Sequence, residues 1–138
     1  MRERAFSAHA VLMAHPWASM LIVSRMNIGP AMLHYVDATI GTLREGGFSF
    51  QLADHAWTAI DSHIYGFTMQ KQNFPLEVDA FATAAEGFLP KLPAETYPYM
   101  HALTEGVAKG THDGVPDFTF GLELLLDGLE ALLARTPR

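Results

Sequence analysis

The chain has 138 residues, a net charge of −6 with only 9 Lys+Arg, and no cysteine. That length suits one domain with a core of its own, and the acidic balance leaves no electrostatic footprint for nucleic acid or an anionic membrane. The missing cysteines exclude disulfides, thiolate nucleophiles and cysteine-based zinc sites, and they fit a reducing cytoplasm. Hydrophobic residues reach 49% against 17% charged, a rich mixture for a monomer of this size and one that points to contact between subunits. The charged opening Met1-Arg2-Glu3-Arg4 and the break at His15-Pro16 argue against a signal peptide. No run approaches the ~20 apolar residues of a membrane-spanning helix.

Residues 3–14 place Phe6, His9, Leu12 and Met13 near helical spacing. His15-Pro16 interrupts them, and Pro16 suits the first turn of a second helix over 16–24. Met26-Asn27-Ile28-Gly29 reads as a loop, and Pro30 opens a third helix. Its stripe is Leu33, Val36, Ile40 and Leu43, and Gly46-Gly47 stops it. Ser49 is the predicted N-cap of a long helix over 50–73, with Leu52, Ala56, Ile60, Ile64 and Phe67 as its core stripe and Pro75 as its stop. A weaker helix covers 76–89, carrying Val78, Phe81, Ala82, Ala85, Phe88 and Leu89. Pro90, Pro93 and Pro98 make a rigid connection to a short helix over 99–109. The loop 110–116 then leads to Asp117, which caps the last helix. No repeat, low-complexity tract or internal boundary is evident. The predicted class is all-α, a bundle of about six to seven helices.

The last helix, 117–135, has two apolar faces. Phe118, Leu122, Leu125, Leu129, Leu132 and Leu133 form a stripe for the chain's own core. Phe120, Gly121, Leu124, Gly128 and Ala131 form a second. Glycine inside a helix costs ~1 kcal/mol against alanine, so two of them call for a packing reason, and a second copy of the chain supplies one.

Catalytic patterns are sparse. None of the 7 histidines forms a helical i, i+4 pair. His55 and His63 stand two turns apart, about 12 Å at 1.5 Å per residue, too far to share an ion whose ligands sit about 2 Å from it. No phosphate loop, GxSxG or HExxH is present, so no metal or cofactor is expected. Asp54 and Asp61 read as carboxylates on a solvated face, unpaired for acid–base work. The expectation is a binding module and not an enzyme; the rival is a cofactor-free helical enzyme that pairs Asp61 with a histidine.

The long helix is more informative. Asp54, Trp57, Thr58, Asp61 and Tyr65 lie along one face, a mixture of aromatic and polar groups suited to a small-molecule cavity. The opposite face, His55, Ala59, Ser62 and Gly66, is small enough for close helix packing. It parallels the Gly121, Leu124 and Gly128 seam, so the two helices could build a four-helix dimer interface across a two-fold axis. The expected ligand is mostly apolar and aromatic, with Met13, Met20 and Met32 as adaptable walls. The Asp61 carboxylate is expected to favour a cationic or hydrogen-bond-donating molecule.

A set of ordered motifs completes this picture: His15-Pro16-Trp17, Ile28-Gly29-Pro30, Leu43-Arg44-Glu45-Gly46-Gly47-Phe48-Ser49, Tyr65-Gly66-Phe67, Phe118-Thr119-Phe120-Gly121-Leu122 and Leu126-Asp127-Gly128-Leu129. With them the chain resembles, over essentially its whole length, the C-terminal ligand-binding and dimerisation domain of TetR-type transcriptional repressors. The resemblance implies an all-α homodimer paired through the long and last helices, with an inducer cavity in each subunit. It also implies that His15, aligned with a drug-contacting histidine, lines the cavity beside Asp54, Trp57, Thr58 and Asp61. Met32 falls near a drug-binding glutamine whose hydrogen bond a thioether cannot supply, which argues against tetracycline with its magnesium ion. The helix-turn-helix domain of that family is not found in this sequence. The expectation is therefore a sensor that makes no direct nucleic-acid contact by itself and that, in a full-length repressor, releases DNA when ligand binds. A stand-alone dimer that titrates intact relatives is the alternative.

Overall fold

Local chemistry accounts for most helix boundaries in the computed structural model, which describes residues 1–24, 29–74 and 76–135. Seven α-helices run α1 Arg2–Ala14, α2 Pro16–Ser24, α3 Pro30–Glu45, α4 Phe50–Gln72, α5 Phe81–Phe88, α6 Pro98–Ala108 and α7 Phe118–Arg135, and there is no strand among the described residues. Pro16, Pro30 and Pro98 each occupy a first helical position, where the missing N–H costs nothing. The Ser49 hydroxyl accepts from the Leu52 amide at 3.2 Å, and the Asp117 carboxylate accepts from the Thr119 amide at 2.8 Å; both are the expected caps. Gly47 takes φ +97°, which only glycine adopts without strain, and it ends α3 as expected. The expected loop over 26–28 and the stop at Pro75 lie outside the described residues.

Two compact units emerge where the sequence reading placed no internal boundary: Met1–Asn73 with Asp117–Arg138, and Phe74–Pro116. In the first, α4 is the central element, packed by α1, α2, α3 and α7. Its fully buried Ile60 and Ile64 join Ala5, Leu12, Phe118 and Leu122 in one core cluster. Nearer its start, Ala53 and Ala56 meet Leu43 and Phe48 in a second. Burying each large aliphatic side chain contributes roughly 1.5–3 kcal/mol, so α4 organises this unit.

Several positions depart from the expected stripes. Leu33 of α3 is 56% exposed while Thr39 is buried. The Thr39 hydroxyl donates to the Tyr35 carbonyl at 2.7 Å, which removes the usual cost of burying it. On α7 the packed stripe runs Phe118, Leu122, Leu126, Leu129 and Leu133, and Leu132 is exposed. Leu132 sits one residue off that i, i+4, i+8, i+11, i+15 register, which turns it away from the core.

In the second unit the expected helix over 76–89 is broken into a 3-10 turn at Val78–Ala80, α5, and a second 3-10 turn at Leu89–Lys91. Pro90, inside that second turn, has no N–H to extend α5. The unit is held by α5 against α6, with Ala85, Leu92 and Val107 buried. No single described helix is long and apolar enough to cross a membrane.

Candidate functional site

Helices α1 to α4 line an open cavity of about 450 Å³ in the first unit. Its walls are mostly apolar: Ala8, Val11 and Leu12 from α1, Ile22 from α2, and Ala31 and Met32 from α3. Polar groups come from Arg4 and Ser7 of α1, Tyr35 of α3 and Tyr65 of α4. Size and lining suit a small organic molecule, since ligand cavities run about 300–1,000 Å³ with a few placed polar groups.

Behind the polar end sits a buried charge centre. The Arg4 Nη2 donates to Asp61 Oδ1, and the two side chains are only 14% and 12% exposed. The other Asp61 oxygen accepts from the Trp57 indole N–H at 2.7 Å and from the Tyr65 hydroxyl at 3.4 Å. Three donors therefore engage the carboxylate, at both of its oxygens. The Tyr35 ring lies against the guanidinium, its centroid 5.0 Å from Cζ, in cation–π range. Burial pushes the Tyr65 phenol well above its ordinary pKa, and Asp61 adds to the effect. Burial raises Tyr35 too, although the neighbouring Arg4 charge opposes it. Both hydroxyls thus stay neutral hydrogen-bonding groups at physiological pH. Arg4 is not fully satisfied: among the described residues its Nε and Nη1 are buried without a hydrogen-bond partner.

Next to this centre lies an aromatic cluster. The His9 and His63 rings both stack on Phe118, with centroids 4.3 and 4.9 Å away. Thr68 donates to the Ile64 carbonyl at 2.6 Å, so its oxygen accepts from His9 Nδ1 at 2.7 Å and sets that tautomer. His63 Nε2 lies 2.9 Å from the Phe118 carbonyl and donates to it.

Of the residues expected in the ligand site, Met32 and Tyr65 line the cavity. Trp57 and Asp61 stand behind it in the charge centre. Met13 is half-buried without lining this cavity, and His15, Met20, Asp54 and Thr58 are exposed. Asp61 is the clear correction to the solvated-face reading: its carboxylate is buried and paired. Arg4, Ser7 and Tyr35 were missed. Tyr35 carried a signal, lying one helical turn from Met32 on the same face. Arg4 carried none, because its partner is 57 residues away in sequence. Among the described residues no three His, Asp or Glu side chains cluster as metal ligands.

Of the seam residues, His55, Ser62, Leu124 and Gly128 are exposed and Ala59 and Gly66 are half-buried. Among the described residues a Cβ built at Gly66 or Gly128 meets nothing within 4 Å. Gly121 differs, for a Cβ there would stand 2.5 Å from His63 Cε1. Its glycine is explained by packing within the chain.

Residues 1–133 match the family described as tetracyclin repressor-like, C-terminal domain. The chain is also 27% identical over 135 residues to the HTH-type transcriptional repressor DrrR1 of Streptomyces coeruleorubidus, a match covering 91% of this chain and 48% of that protein. The chain thus spans about half the length of this curated relative. No solved structure is significantly similar to it. With its profile matched almost from end to end on an all-α fold, the chain belongs to the tetracycline-repressor-like C-terminal domain family.

Proposed function

We propose that this chain is the small-molecule-sensing and dimerisation domain of a cytoplasmic transcriptional repressor. The observation that carries the reading is the cavity itself, apolar in its walls and closed at one end by the Arg4–Asp61 pair, within a family named for a repressor. An enzyme fits less well. Asp61 is engaged by Arg4, Trp57 and Tyr65, which leaves that carboxylate unavailable to work with a histidine as an acid–base couple.

Dimerisation runs through α4 and α7. Phe120 and Leu124 expose large apolar side chains on α7, and Gly128 leaves open space beside them. Such a face suits close approach of another helix. Within a full-length protein that carries a helix-turn-helix domain, a ligand that prefers one separation of the two subunits shifts the dimer toward it and releases DNA. By itself the chain is acidic and makes no specific DNA contact.

The test is a full-length repressor containing these 138 residues, assayed on its operator with and without inducer. Filling the cavity with Met32→Trp is expected to leave operator binding intact and to abolish release. Release that proceeds unchanged in that variant places the sensor elsewhere.

A further inference from the structure

We infer that the cavity selects molecules presenting an acceptor oxygen, a carbonyl or carboxylate on an apolar aromatic body, through the unpartnered donors of Arg4. The inference rests on the sensing role proposed above and names the ligand chemistry of that same cavity. Three observations meet here. Arg4 lines the cavity, yet among the described residues its Nε and Nη1 are buried with no hydrogen-bond partner. Buried polar groups in folded proteins nearly always have one. Asp61, which in isolation would attract a cation, is already paired with Arg4 and engaged by Trp57 and Tyr65. The polar end therefore offers donors and no free anion. The remaining walls, Ala8, Val11, Leu12, Ile22, Ala31 and Met32, are apolar, and they set the body of the molecule while Arg4 sets its head. The Tyr35 ring braces the guanidinium from one face, which holds its donors in place before a ligand arrives and lowers the ordering cost of binding. A cationic head would meet the Arg4 charge with no carboxylate free to offset it.

The experiment measures binding of three probes that share one ring system, 1-naphthylacetic acid, its methyl ester and 1-naphthylmethylamine, to the chain by calorimetry. The acid and the ester are expected to bind at least tenfold more tightly than the amine. Arg4→Lys keeps a cation for Asp61 and removes the planar donors, so it should reduce that preference to threefold or less. Arg4→Met, equal in reach without a donor, serves as a second variant, with circular dichroism confirming its fold. Amine binding that equals or exceeds acid and ester binding overturns the inference, as does failure of both acceptor probes to bind at millimolar concentration. Discrimination that survives in both Arg4 variants overturns it too. The sensing role fails separately, when Met32→Trp leaves operator release untouched.

Discussion

Gly121 and His9 show how much of the α4–α7 contact depends on single side chains. At Gly121 an added methyl would stand 2.5 Å from His63 Cε1, and His63 has little freedom to retreat, being stacked on Phe118 and donating to its carbonyl. Gly121→Ala is therefore expected to lower stability by about 1–2 kcal/mol, overpacking outweighing the helix propensity gained. Urea denaturation checks this: the loss should not depend on protein concentration, and it should shrink in the Gly121→Ala, His63→Ala double variant. His9 gives a pH dependence. Burial first, then the Lys71 and His63 charges, hold its pKa below the ordinary value, and its other neighbours, Thr68, Phe67 and Phe118, carry no charge. The unfolded chain takes up this proton near pH 6.5 while the folded chain still resists it. The stabilisation is present above that pH and is lost as pH falls toward the depressed folded value. Denaturation midpoints at pH 7.5 and 5.5 should differ less in His9→Gln than in the parent. An equal drop in both would show that other groups set the acid sensitivity. Neither effect was legible in the sequence, where Gly121 reads as a seam for a second copy and His9 as one apolar-face position among several. Both contacts are made across distant segments, as is the Arg4–Asp61 pair that replaced the expected solvated carboxylate.

The helices themselves were readable because their signals are local. Proline at first positions, Gly47 after α3 and the caps Ser49 and Asp117 act within a few residues, so composition along the chain reports them directly. Stripe membership was less readable where a polar residue satisfies itself, as Thr39 does on the Tyr35 carbonyl. It also faltered where a leucine run offers two registers, as at Leu132 and Leu133. The long helix supplies a test at this scale. Ser49 accepts the Leu52 amide at the start of α4, and the segment it caps carries Ala53 and Ala56 into the second core cluster. Ser49→Ala should cost about 1 kcal/mol, the ordinary value of a lost N-cap, read as a lower urea midpoint with an unchanged slope. A larger cost, or a changed slope, would mean that the start of α4 controls the cluster around Leu43 and Phe48 cooperatively.

For the molecule as a whole, the second face of α7 is the surface that the proposed dimer would cover. Leu124 is 59% exposed, with Phe120 exposed one turn before it and Leu132 two turns after it. Gly128, in the same helix, has nothing within 4 Å of a built Cβ. Among the described residues that glycine has no packing neighbour, and it gives up ~1 kcal/mol of helix propensity relative to alanine. In the proposed dimer a partner helix lying close over Gly128 would supply the reason, with the small or polar residues His55, Ala59, Ser62 and Gly66 of α4 as the proposed matching surface. Leu124→Glu would place an unpaired carboxylate in that desolvated contact, a change that typically costs several kcal/mol at an interface. Gly128→Leu would hold the helices apart by bulk alone, without altering charge. Light scattering at micromolar concentration should give twice the chain mass for the parent and one chain mass for both variants. Each variant should keep its helical circular dichroism, because neither position belongs to the chain's own core. A parent that runs at one chain mass would refute pairing through α7.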